Sequence, residues 1–172
     1  MLVGPGLGRD DTAQEKLAAA LASDRPLVID GDALRMLESD WLAARRAPTI
    51  LTPHEGEFTY LFGDESGGKL AHTRAAAQRC GATVIHKGAD TVIATPAGEA
   101  RIAIERAPWL STAGTGDVLA GLVAARLAAT SNPMYAAQEA VWLHTDAAQR
   151  LGPAFTADQL AAALPGAIAA CL

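Results

Sequence analysis

The chain has 172 residues, of which half are hydrophobic and 19% charged, and its formal net charge is −5. This length suits a single domain, which can bury a core without disulfides or a structural metal. The charge balance and a mean hydropathy of +0.15 exclude disorder, and no basic footprint for nucleic acid is present.

Short apolar runs alternate with alanine-rich segments, and 39 positions are alanine. This alternation predicts α/β architecture. Gly4-Pro5-Gly6-Leu7-Gly8-Arg9-Asp10 comes first, after a short apolar start. Its glycines allow a ligand close to the backbone, but their spacing is not the dinucleotide fingerprint, and a plain surface turn also fits. Thr12 is expected to cap a helix running to about Ala22, with Glu15 as capping-box partner. Leu27-Val28-Ile29 reads as a strand ending in Asp30-Gly31-Asp32, and Thr49-Ile50-Leu51 as another closed by Thr52-Pro53.

Gly63 to Leu70 nearly spells a P-loop. Leu70, however, stands where Ser or Thr must reach magnesium, and Tyr60-Leu61-Phe62 before it reads as a helix end. An exposed helix–helix loop is expected there. Lys69 to Arg79 is helical in composition and stops at Gly81. Thr83 to His86 reads as a strand leading into Lys87-Gly88, and Thr91–Ala94 pairs with Glu99–Ile104 around Ala97-Gly98. Asp117 to Ala129 places Val118, Leu119, Leu122, Val123 and Leu127 along one helical face. Pro133 starts the next helix, which ends near Leu151-Gly152. Thr156 caps the last, which Pro165 is expected to break or kink.

No apolar run reaches the ~18–20 residues of a membrane span, and the first residues lack a signal-peptide pattern. Cys80 and Cys171 stand in no C-x-x-C pattern and read as reduced thiols. A cytoplasmic protein with no membrane partner is expected.

Ser111-Thr112-Ala113-Gly114-Thr115-Gly116-Asp117-Val118 carries the clearest chemistry. Small residues run directly into an apolar helix, whose unpaired N-terminal amides form an anion site. Asp117 is either a cap in that first turn or a base that takes a proton from an incoming hydroxyl.

This segment, extended through Leu119-Ala120-Gly121, resembles the anion-hole signature of ribokinase-like proteins. The Gly4–Asp10 loop, Val28-Ile29-Asp30-Gly31-Asp32-Ala33-Leu34, Leu51-Thr52-Pro53-His54-Glu55-Gly56-Glu57 and Lys87-Gly88-Ala89-Asp90-Thr91-Val92-Ile93 stand in the order found in one branch. That branch is the ADP/ATP-dependent NAD(P)H-hydrate dehydratases. The resemblance implies a three-layer α/β/α fold with a mostly parallel sheet. It implies Asp117 as catalytic base and Gly114, Thr115 and Gly116 as the anion hole. Lys87, Gly88, Ala89, Asp90, Thr91 and Gly116 would bind the nucleotide. His54 and a glycine of the first loop, Gly6 or Gly8, would contact the substrate together with Asp117. Asp32 and Glu57 lie in the same motifs. Gly31, Glu55 and Ala113 replace the family's usual alanine, proline and glycine.

ADP or ATP and Mg²⁺ are the implied cofactors, with no protein metal ligands. Hydrated NADH or NADPH is the implied substrate. A homo-oligomer is expected, and an epimerase domain or protein of the same repair pathway is a possible partner. The family's first loop normally follows further strands, so residues 1–172 are expected to be the C-terminal two-thirds of one ribokinase-like domain, with the first strands missing. Two alternatives stay open: a small-molecule kinase acting on a hydroxymethyl or hydroxyethyl heterocycle, and an inactive truncated domain that only binds nucleotide. His72, His86 and His144 match no motif and are read as structural.

Overall fold

The structure, a computed structural model, describes residues 1–38, 41–42, 45–64, 67–104 and 107–171. Glu65 and Ser66 of the glycine-rich segment lie outside the described residues, as does Leu172. The elements run β1 (Leu2–Val3), α1 (Asp11–Ala22), β2 (Leu27–Ile29), α2 (Asp32–Met36), β3 (Thr49–Leu51), α3 (Glu55–Phe62), α4 (Lys69–Cys80), β4 (Thr83–His86), β5 (Asp90–Ala94), β6 (Ala100–Ile104), a 3-10 turn (Pro108–Ser111), α5 (Thr115–Thr130), α6 (Pro133–Leu151) and α7 (Ala157–Ala169).

The strands form one six-stranded sheet in sequence order. β1 to β4 are parallel, with Val28 opposite both Leu2 and Ile50, and β4, β5 and β6 are antiparallel. β2, β3 and β4 are buried along their whole length, as strands covered on both faces must be. Alternate residues feed two separate cores. Val28, Ile50, Ile85 and Ile93 pack with residues of α5, α6 and α7. Leu27, Ile29, Leu51 and Val84 pack with residues of α1, α2, α3 and α4. The result is a three-layer α/β/α sandwich with a mostly parallel sheet.

Two local expectations are corrected. The cap of α1 is Asp10, whose carboxylate accepts from the Ala13 amide, and Thr12 lies inside the helix. α7 continues through Pro165, with Leu160 and Ala167 on either side both fully buried in the core. Tertiary packing on both halves outweighs the hydrogen bond lost at the proline.

Candidate functional site

Parallel strands deliver their C-terminal loops to one side of a sheet. Here these are the loops after Val3, Ile29, Leu51 and His86, which carry most of the motif residues. Backbone contact locks the first two together. Gly4 has φ +126°, and a Cβ there would stand 1.7 Å from the Asp30 carbonyl oxygen. Asp32 then ties the same loops from its side chain, accepting from the Gly8 amide and from Arg9 Nε, each at 3.0 Å. The Arg9 guanidinium, helped by the Gly8 amide, holds the Asp32 carboxyl below its ordinary value. Gly6 and Gly8 both have positive φ, and their Cα positions face open space.

His54 is the N-cap of α3. Its Nδ1 accepts from the Gly56 and Glu57 amides, and its own amide donates to Glu57 Oε2. Because Nδ1 accepts, the neutral ring carries its proton on Nε2, 3.4 Å from Glu57 Oε1. Glu57 is buried, so this reciprocal box presents the more exposed imidazole in a fixed orientation.

Lys87 connects these loops to the rest of the site. Its amide donates to the Pro53 carbonyl at 2.8 Å. Its ammonium donates to Asp30 Oδ1 at 2.9 Å, and Asp30 is only 2% exposed. That ammonium also reaches the start of α5, where a Cβ on Gly116 would stand 3.3 Å from Nζ. A side chain there would crowd the cation, and glycine leaves the space open.

α5 begins at Thr115 after Gly114, which has φ +87°. The Thr115 hydroxyl lies 2.6 Å from the Leu110 carbonyl and 2.8 Å from that of Thr112. The first turn makes no side-chain cap; the Thr115 amide donates to the Thr112 carbonyl at 3.3 Å, which leaves the amides of Gly116 and Asp117 to face an anion. Asp117 stands in that turn, exposed, and its carboxylate has no hydrogen-bond partner among the described residues. The capping role is therefore not the one it fills.

A cavity of about 340 Å³ lies between the β4–β5 turn and the start of α5. It brings together Lys87, Gly88, Ala89, Thr91, Thr115 and Gly116, with Leu119, Val141 and His144 among its other walls. Gly114, the residue before α5, and Asp117 in its first turn adjoin the lining residues Thr115 and Gly116. Asp90 turns away: its carboxylate takes the Lys69 ammonium at 3.0 Å, and this bond holds it below the ordinary carboxylate value. Gly6, Gly8, Asp32, His54 and Glu57 do not line the cavity and join it through Asp30, Pro53 and Lys87.

Four residues given no site role from sequence help to hold this region together. Asp30 sits in a motif but reads as a strand end. Lys69 clamps the β4–β5 turn from α4, donating to the Lys87 carbonyl as well as to Asp90. His86 is buried and stacked on Phe58, with ring centroids 4.0 Å apart, and bonds Thr73 and Glu55. Its burial, then the Lys69 charge, push its pKa down to about 4. His144 bonds the Thr115 carbonyl at 2.9 Å. Only tertiary proximity reveals these roles, since a lone histidine or lysine carries no spacing pattern.

The chain resembles known proteins along nearly its whole length. The profile of the NAD(P)H-hydrate dehydratase family matches residues 1–168. The bifunctional NAD(P)H-hydrate repair enzyme Nnr of Mycobacterium leprae is 44% identical over 150 residues, which are 86% of this chain and 32% of that protein. Its counterpart in Gloeobacter violaceus is 41% identical over 161 residues, covering 91% of this chain and 31% of the relative. The ADP/ATP-dependent NAD(P)H-hydrate dehydratase of Bacillus subtilis, co-crystallised with ATP/Mg²⁺, superposes with a TM-score of 0.88 at 28% identity, over 98% of this chain and 63% of that one. A ribokinase-like protein of Enterococcus faecalis superposes with a TM-score of 0.84 at 31% identity, over 96% of this chain and 61% of that one. The chain thus spans about a third of these sequence relatives and less than two-thirds of these solved chains. By its motifs, its fold and these matches, the chain belongs to the NAD(P)H-hydrate dehydratase family.

Proposed function

We propose that the protein dehydrates hydrated NADH or NADPH at the expense of ADP or ATP, by phosphorylating the ring hydroxyl and eliminating phosphate. The carrying observation is the meeting of the Lys87 ammonium and the α5 amides at one cavity, with Asp117 uncommitted in the same helical turn. The cation and the amides suit the nucleotide's phosphates. Asp117 suits the proton of a hydroxyl placed in line with the terminal phosphate. The bond from the ring oxygen to the terminal phosphorus forms as the bond from that phosphorus to its bridging oxygen breaks, AMP or ADP leaves, and the hydroxyl proton moves to Asp117. The lone pair of the ring nitrogen then expels phosphate to leave an iminium, and loss of a proton from the adjacent ring carbon to solvent restores the dihydronicotinamide. Hydroxide leaves poorly and phosphate well, which is why such a dehydration consumes nucleotide.

Mg²⁺ supplies charge neutralisation on the transferring phosphates when it is bound. No cluster of three His, Cys, Asp or Glu occurs among the described residues, so the nucleotide's own oxygens and water are its proposed ligands. His54 and the Gly6–Gly8 loop are the proposed substrate contacts, with Asp32 and Glu57 holding them in place.

On this reading, residues 1–172 form most of one ribokinase-like unit, and the relatives' greater length leaves room for a second activity such as an epimerase. None of the described helices is long and apolar enough to cross a membrane, which suits a cytoplasmic enzyme. We further propose a homo-oligomer, supported by the exposed Ile102 and Ile104 on the edge strand β6 and by Trp142 beside them.

The test incubates the protein with hydrated NADH, Mg²⁺ and ADP or ATP and follows the reduced-nicotinamide absorbance. Recovery of that absorbance supports the reading. A stable phosphate ester on a hydroxymethyl or hydroxyethyl heterocycle would make the protein a kinase. ADP binding in calorimetry without any turnover would leave it a binding domain.

A further inference from the structure

We propose that His144 is a positioning residue for the anion site, holding the Thr115 carbonyl and thereby aiming the Gly116 amide. The inference rests on the phosphoryl-transfer reading above. His144 projects from α6 and is only 6% exposed. Its Nε2 lies 2.9 Å from the Thr115 carbonyl oxygen, which can only accept, so Nε2 carries the proton.

The carbonyl of Thr115 and the amide of Gly116 belong to one planar, trans peptide unit. Fixing the oxygen therefore fixes the N–H that points the opposite way. Gly116 has no side chain to restrict its own rotation, and glycine is the residue that most needs such a restraint. The same peptide is braced from the other side. The Thr115 hydroxyl, bonded to the Leu110 and Thr112 carbonyls, ties the residue to the 3-10 turn. The amide is thus held between α6 and that turn, at the point where Lys87 reaches Gly116.

The charge state suits this role. Burial, followed by the nearby Lys87 charge, pushes the imidazole down to about 4. Near neutral pH the ring donates without adding a second cation beside Lys87. Glutamine can replace such a donor, whereas phenylalanine fills the space and donates nothing.

The experiment compares His144→Phe and His144→Gln with the wild-type chain in steady-state turnover of hydrated NADH. His144→Phe is expected to lose about a hundredfold in kcat, the cost of a displaced catalytic group. Its KM for nucleotide is expected to stay within about twofold, and His144→Gln is expected to recover most of the loss. Equal losses in both variants would show a packing role and overturn the proposal, as would wild-type kinetics in His144→Phe. Should the phenylalanine variant not fold, His144→Asn, too short to reach Thr115, takes its place. The Gly116 amide resonance gives a readout that needs no turnover. It is expected to shift in the variant lacking the donor and to return in His144→Gln, and an unmoved resonance overturns the proposal. Absent wild-type turnover would sink the functional reading instead, and this resonance would then decide the role of His144 alone.

Discussion

Asp117 differs from the other aspartates on this side of the sheet in being unspent. Asp30 holds Lys87, Asp32 holds Gly8 and Arg9, and Asp90 holds Lys69. A carboxylate with no partner among the described residues, beside the amides proposed to hold an anion, is available for a proton. Asp117→Asn is expected to lower turnover by at least about a hundredfold, while ADP affinity by calorimetry is unchanged. The two buried histidines set a pH dependence of stability. His86 and His144 each have folded values near 4, well below the ordinary 6.5. The unfolded chain therefore binds more protons between those values, and stability falls as pH drops through that window. Thermal unfolding is expected to show Tm level above about pH 7 and falling from about pH 6.5 towards 4. A flat Tm across that range would contradict the neutral buried rings. Gly114–Asp117 stand out in sequence as small residues running into an apolar helix, Lys87 and Gly88 only through the resemblance of their motif, and the structure brings Lys87, Gly88, Thr115 and Gly116 to one cavity. His144 and Asp30 do not stand out, because their partners lie 29 and 57 residues away.

At the scale of elements, glycine and caps decide the geometry. Strands β2 to β6 and helices α4 to α7 follow from apolar runs, glycine stops and the Pro133 and Thr156 starts, which are local signals. α2, with five residues, and the eight-residue α3 are too short for a periodic pattern to declare itself. The α1 cap moved to Asp10 because two neighbouring polar residues compete for one role, and only geometry chooses between them. Gly4→Ala is expected to destabilise by roughly 3 kcal/mol and to lower Tm by about 6–12 °C, since a Cβ collides with backbone and not with a movable side chain. Glu57→Ala removes half of the α3 capping box. It is expected to cost about 1 kcal/mol of stability and to raise KM for the hydrate more than KM for nucleotide, which separate titrations of the two substrates would check.

For the whole molecule, two cores on opposite faces of one sheet make the fold, and the sheet ends in an exposed strand that the proposed homo-oligomer would use. β6 is an edge, and Ile102 and Ile104, 53% and 71% exposed, point from the same side of it. Such an edge invites pairing unless something blocks it. Ile104→Lys is expected to lower the mass seen by sedimentation without changing Tm at low concentration by more than about 2 °C. An unchanged sedimentation mass would overturn the proposal that this edge joins copies of the chain. The layered architecture was legible because alternation of strands and helices leaves few alternatives. The apolar edge was not, because Ile102 and Ile104 read in sequence as ordinary strand interior.

The Asp30–Lys87 pair has a consequence for how the site meets its ligand. The cation that would greet a phosphate is already neutralised, inside the protein, by a carboxylate only 2% exposed. If Lys87 serves the nucleotide as proposed, the phosphates would compete with Asp30 for it and gain only the difference between the two partners. The same carboxylate keeps the lysine extended and weakens the pull of its charge on simple anions. Selectivity then falls to whatever can offer more than a single carboxylate, which a chain of phosphates does and a lone acetate or chloride does not.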